Sequence, residues 1–142
     1  MIYNLKLDYD SRYIINRWKN SVNRIYRVYY DKRDYLPEIC VDKVTISRKG
    51  IHIFLKFSDG EKTVKNIVRK RLSVVLLQSI FDSDQTRSLF DYLRIQRNMK
   101  NINLMFEYKS GRNNVESQRL REKLNVITAK VKQHYENRRS LI

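Results

Sequence analysis

Residues Ile39 to Phe57 read ICVDKVTISRKGIHIFLKF, and the alternation in this stretch decides the fold. Ile39 and Val41, then Val44 and Ile46, recur at every second position with a one-residue slip near Asp42-Lys43. After the turn Ser47-Arg48-Lys49-Gly50 the apolar set resumes as Ile51, Ile53, Leu55 and Phe57. A period of two is that of a strand with one face on a core. A polar turn ending in Gly joins two such strands into a hairpin, and the slip predicts an irregularity of the β-bulge kind. His52, Phe54 and Lys56 then fall on the side of the returning strand away from the main apolar row.

Working outward, Ile2 to Asp8 alternates Tyr3, Leu5 and Leu7 against Asn4, Lys6 and Asp8, a further strand. It stops at Asp10-Ser11, either of which suits a helix cap. A helix to about Tyr30 follows, with Ile15, Trp18, Val22, Ile25 and Tyr29 on one side and Arg17, Arg24 and Arg27 on the other. Beyond the hairpin, Asp59-Gly60 is a turn. Glu61 to Ile80 reads as a helix with Val64, Ile67, Val68, Leu72, Val75 and Leu76 inward, although its first half also fits a third hairpin strand. A helix from Asp84 to Arg97 with Leu89, Phe90 and Leu93 inward, a strand from Ile102 to Tyr108 and a turn at Gly111 lead to a closing helix. There Leu120, Leu124, Ile127, Val131 and Tyr135 make a narrow stripe, the seam of a helix packing on one partner helix. A second copy of the chain, giving a homodimer, is one candidate for that partner. The expected class is α+β: a small mixed or antiparallel sheet with a central hairpin, packed against about four helices. It is one domain over 1–142, with an α+β body over 1–112 and a C-terminal helix over 113–142.

The chain carries 30 Lys and Arg against 15 Asp and Glu in 142 residues, a formal charge of +15. That excess exceeds what solubility asks and points to a polyanionic partner, DNA or RNA, held by salt-sensitive phosphate contacts. No apolar run of about 18 residues, secretory signal or lipidation motif is present, so a soluble cytoplasmic protein with no membrane partner is expected. Cys40 is the only cysteine and reads as a small buried residue in a reducing compartment. With three Gly and one Pro there is no Walker loop, dinucleotide motif, zinc pattern or nucleophile elbow. Ala129 is the only alanine, while Ile, Asn, Lys, Arg and Tyr abound, a bias that accompanies AT-rich viral and plasmid coding.

Four constellations carry chemistry. Tyrosines interleave with Arg24 and Arg27, and again at Arg12-Tyr13, as on surfaces that meet phosphates and stack bases; the tyrosines equally suit core and rim. Lys62, Lys65, Arg69, Lys70 and Arg71 gather along one side of a helix near its start, which favours backbone phosphates, although a solvated helix face accounts for them too; Arg17, Arg48 and Lys49 are further candidates for nucleic-acid contact. Asp84, Arg87, Asp91 and Arg94 follow one helical stripe with alternating sign. They either pair with one another or make Asp84 or Asp91 a metal ligand or base, with Arg87 and Arg94 on phosphates. Asp8 and Asp10, two apart at a strand end, project to one side and could grip Mg²⁺ or Mn²⁺; capping and a surface ion pair explain them as well. His52 is either a structural histidine or a catalytic one.

Ser47-Arg48-Lys49-Gly50-Ile51-His52-Ile53, Arg71, Asp84-Gln85-Thr86-Arg87, Asp91, Arg94 and Leu104-Met105-Phe106 together resemble small basic proteins of crenarchaeal viruses and plasmids. The resemblance covers roughly residues 44 to 108. This sequence departs from that pattern at Asp82, where Gly is usual, at Ser83, where an Asp is usual, and at Gln85, where Pro is common. The order of Asp8-x-Asp10, Ser47-x-x-Gly50-x-His52 and Asp91 is also similar to a minimal set of archaeo-eukaryotic primase motifs, and to nucleotidyltransferase-like DNA nucleases. This likeness implies that His52, Asp84 and Asp91 are catalytic. The expected function is nucleic-acid binding, with metal-dependent cleavage of DNA as its enzymatic form; a non-catalytic binder and an inhibitor of a host factor are the alternatives.

Overall fold

The computed structural model describes residues 2–10, 13–31, 35–48, 50–58, 67–81, 85–97 and 115–140, with only the backbone at 2–3, 67–73, 85–88 and 90–91. Its elements are β1 (Ile2–Tyr9), α1 (Ile14–Asp31), β2 (Glu38–Ser47), β3 (Gly50–Ser58), α2 (Ile67–Ile80), α3 (Gln85–Gln96) and α4 (Val115–Ser140). The sheet order is β1-β3-β2, with β3 antiparallel to both neighbours. β1 and β2 are therefore parallel to each other and require a crossover, which the 18 residues of α1, about 27 Å long, provide. The molecule is α+β as expected. The expected irregularity is present: the β2 register shifts between Val41 and Lys43, so that Asp42 is the extra residue.

Register sorts the side chains into two faces. Leu5, Leu55 and Val41 pair across the sheet, as do Leu7, Ile53 and Val44, and all six are buried. They join Trp18, Val22, Ile25 and Tyr26 of α1, Val74, Leu77 and Phe81 at α2, and Leu124 and Tyr135 of α4 in one core cluster. The sheet residues of that cluster come from this face alone.

Trp18 is the hub. Its ring stacks on Phe81 at 5.4 Å, and its Nε1–H donates to the Leu124 carbonyl and to Thr128 Oγ1 at 3.2 and 3.1 Å. Phe81 meets Phe57 edge-on, and its carbonyl accepts hydrogen bonds from Tyr9 Oη and Ser21 Oγ. Trp18 touches Leu124 and Thr128, Asn23 bonds Tyr135, and Tyr29 bonds Arg139, so α1 and α4 run in the same direction. Their C-terminal ends meet, and there Arg139 donates to the Tyr29 carbonyl while Arg138 and Arg139 lie over the Tyr30 ring. Two cations at paired carbonyl ends offset the repulsion of parallel helix dipoles. The partner helix expected for the Leu120 to Tyr135 stripe is thus α1 of the same chain.

Several inward assignments fail. Leu76 is 61% and Leu89 55% exposed, whereas Val74, Leu77 and Phe81 are buried. In Val74-Val75-Leu76-Leu77 apolar side chains surround the helix, so periodicity selects no face; the stacking of Phe81 on Trp18 does. Cys40, expected to be buried, is exposed, because alternation between the buried Ile39 and Val41 sets it on the outer face opposite Lys56. The helix after β1 starts at Ile14, preceded by Tyr13 in a left-handed conformation, rather than directly at Asp10-Ser11. Residues 61–66 of the Glu61 to Ile80 helix, the turn at Asp59-Gly60, the strand at 102–108 and the turn at Gly111 lie outside the described residues, while 67–80 is helical as expected.

α4 also protects an edge. Asn125 Oδ1 accepts from the Val41 N–H at 2.9 Å, and Asn125 Nδ2 donates to the Val41 carbonyl at 3.1 Å, as a further strand would at the bulge. Asn125→Asp keeps the acceptor but sets a carboxylate against that carbonyl. It is expected to cost more than Asn125→Ala, itself about 1–3 kcal/mol, in denaturant titrations followed by Trp18 emission.

The Tyr26 hydroxyl is buried with no hydrogen-bond partner among the described residues, and its pKa is raised first by burial and then by Glu38 and Glu136. The unfolded chain ionises this group near pH 10 and the folded one does not, so its contribution holds below about pH 10 and is lost as pH rises further. Tyr26→Phe should therefore be neutral or stabilising at pH 7 and should flatten the alkaline fall in unfolding free energy; a steeper fall would contradict this.

Candidate nucleic-acid interface

Between the terminal row of Ile2, Ser58 and Glu38 and the hairpin turn, the outer face of the sheet carries three further cross-strand rows. Asn4, Lys56 and Cys40 form the first, Lys6, Phe54 and Lys43 the second, and Asp8, His52 and Thr45 the third. Residues paired in register have Cβ atoms about 5 Å apart, so each row is a set of touching side chains. In the middle row Lys6 and Lys43 place their ammonium groups 5.9 and 5.5 Å from the Phe54 ring centre. The ring and the two cations form one amphipathic strip across the sheet. Lys56 extends it, 60% exposed and 3.8 Å from Asp42 at the bulge.

The third row is more enclosed. His52 Nε2 lies 3.6 Å from Asp8 Oδ1, with side-chain exposures of 13% and 31%. Thr45, opposite His52, is buried, and its hydroxyl finds no hydrogen-bond partner among the described residues. This row lies near the hairpin turn, which Ser47 Oγ closes by donating to the Gly50 carbonyl at 3.2 Å. Gly50 is required there, since a Cβ would collide with the Tyr9 carbonyl. Arg48 projects from the turn and is exposed. At the same end, where β1 leads into α1, Arg17 sits 3.8 Å from Asp10 and over the Tyr9 ring. Tyr13 is 78% exposed.

The sequence-predicted residues therefore separate. Asp8, Asp10, Arg17, Arg48 and His52 share the hairpin end of the sheet. Asp8 faces His52 while Asp10 faces Arg17, so the two carboxylates turn to different basic side chains. Arg24 is exposed but donates to the Ile80 carbonyl at 3.2 Å, holding the C-terminal end of α2. Arg27 is exposed on α1. Tyr26 belongs to the core, and Tyr29 and Tyr30 pack on Phe57 and Tyr135, so the tyrosines of this helix take the core-and-rim reading. Arg94 is half-buried near the end of α3. Lys49, Lys65 and Asp84 lie outside the described residues, as do the side chains of Arg69, Lys70, Arg71, Arg87 and Asp91.

Among the described residues no group of three metal-ligating side chains occurs. Asp8 and His52 place one carboxylate and one imidazole together at the hairpin end of the sheet, and a divalent ion there would complete its shell with water or a bound phosphate. The residues missed by sequence reading are Lys6, Phe54, Lys43 and Lys56. Alternation places each on an outer face, but only the register across the bulge joins them. No described helix is long and apolar enough to cross a membrane. Neither a protein-family model, nor a curated protein, nor a solved structure matches this chain.

Cys40 reports on this face. Its pKa is raised first by the burial of its thiol, exposed though the residue is, and then by Asp42, which acts by charge and as acceptor at 3.7 Å; Lys56 and Arg121 oppose this. The thiolate is the reactive form, so Asp42→Asn should lower the pKa and speed iodoacetamide labelling severalfold at pH 8. An unchanged rate would remove Asp42 from this account.

Proposed function

We propose that this protein binds single-stranded nucleic acid across the outer face of its sheet. The observation that carries the reading is the Lys6-Phe54-Lys43 row, an aromatic ring on the central strand with a cation on each flanking strand. Unpaired bases stack on aromatic rings whatever their sequence, while lysines neutralise the backbone between them. Lys56 and the hairpin's Arg48 continue the positive track, and Tyr13 offers a further ring, itself exposed, at the hairpin end. The formal charge of +15 supplies long-range attraction for any polyanion.

A second reading rests on the Asp8-His52 pair. A carboxylate and an imidazole in register beside a buried hydroxyl are the parts of an acid-base centre, and they adjoin the proposed track. In this reading the bound strand is cleaved at the hairpin end, with Mg²⁺ or Mn²⁺ as the cofactor to be tested.

Fluorescently labelled dT and rU oligonucleotides test both. Phe54→Ala should weaken binding by about 1–3 kcal/mol, or roughly 5- to 150-fold. Four phosphate contacts, from Lys6, Lys43, Lys56 and Arg48, imply a slope near −3 in a plot of log affinity against log salt, falling by about 0.7 for each cation removed. No binding at low salt, or full binding by Phe54→Ala, refutes the sheet-face site. Cleavage that needs Mg²⁺ or Mn²⁺, stops with EDTA and is lost in Asp8→Ala or His52→Ala selects the second reading; intact oligonucleotide under all three conditions excludes it.

A further inference from the structure

Flanking the buried stripe of α1, α1 and α4 leave a groove of about 560 Å³ between them. Its floor is apolar, made by Ile15, Ile127 and Val131, and its rim is cationic, made by Lys19, Lys123 and Lys130. Among the described residues no acidic side chain lines it. We propose that the groove receives an acidic amphipathic helix from a partner protein, lying along the α1–α4 seam.

Length, charge and floor each argue for that occupant. Ile15, Lys19 and Asn23 line it from α1 at every fourth residue, and the α4 lining runs from Lys123 to His134, twelve residues or about 16 Å between the first and last. Three turns of a guest helix span that distance and present apolar residues at i, i+3, i+4 and i+7 to the floor, the usual helix-in-groove arrangement. Acidic residues flanking that stripe then face the lysines. A second copy of this chain is a poor occupant, because a two-fold contact would set one lysine rim against the other. Nucleic acid is poorer here than on the sheet, since isoleucine and valine offer neither charge nor a stacking ring. The proposal is independent of the sheet-face reading, because the groove residues and the Lys6-Phe54-Lys43 row are separate sets.

The test uses the whole chain and two labelled synthetic helices of about 18 residues, one with Leu at the seam positions and Glu beside them, the other with every Glu replaced by Lys. The acidic peptide should bind in anisotropy titrations at about 50 mM salt, and the basic one should not. Lys123→Glu with Lys130→Glu, both exposed and outside the core, should weaken binding at least tenfold, as should Ile127→Asp, while Lys56→Glu and Phe54→Ala leave it unchanged. The proposal is overturned if the acidic peptide fails to bind, if the double charge reversal leaves its affinity intact, or if a dT oligonucleotide displaces it. A dimer mass in light scattering that reverts to monomer on the same charge reversal overturns it in favour of self-association.

Discussion

Everything in this molecule hangs on the burial of one indole. Trp18 is fully enclosed, stacks on Phe81, and gives its only N–H to a carbonyl and a hydroxyl of α4. One side chain of α1 thereby fixes the end of α2 and the middle of α4. An indole nitrogen buried without an acceptor is costly, so the position of Thr128 and Leu124 relative to the sheet is set by that requirement as much as by apolar packing. The Phe81 carbonyl, taking hydrogen bonds from Tyr9 and Ser21, closes the loop back to β1.

Gathering three helices on one face has an unavoidable consequence for the other. A three-stranded sheet has only two faces, and α1, α2 and α4 all contribute to the cluster on the Leu5, Leu7 and Tyr9 side. The outer face is left to polar side chains and Phe54. Its edges are managed separately: Asn125 satisfies the exposed backbone at the β2 bulge, where an unpaired edge invites further pairing. The bulge also sets the composition of the outer face. Were Asp42 paired in regular register instead of bulged, it would take the place opposite Phe54 and Lys43 would turn inward, and the Lys6-Phe54-Lys43 row would not exist.

The hairpin, its bulge, β1 and the stripe on α4 were legible in the sequence because each rests on a short period with one apolar face. Where apolar residues surround the helix, as in Val74-Val75-Leu76-Leu77, no period could select the inward side, and tertiary packing on Trp18 chose it. Cys40 misled because small size and apolar character predict burial, while its place in the register predicts exposure. The candidate site was half legible. Alternation put Asp8 and His52 on outward faces, but their meeting needed the β1–β3 register, which no local pattern carries. The pairing of Asp10 with Arg17 rather than with Asp8 depended on where the helix begins, at Ile14 rather than directly after Asp10-Ser11.

A strongly cationic protein faces a problem of discrimination, because Coulomb attraction draws any anion to any part of its surface. What separates sites on such a surface is what lies between the cations. On the sheet the space between Lys6 and Lys43 is filled by an aromatic ring, which rewards a flat base and gives little to an aliphatic side chain. In the α1–α4 groove the space between Lys19 and Lys130 is filled by Ile15, Ile127 and Val131, which reward an aliphatic side chain and give nothing to a phosphate. Charge brings both kinds of partner close at similar rates, and the uncharged floor determines which one stays.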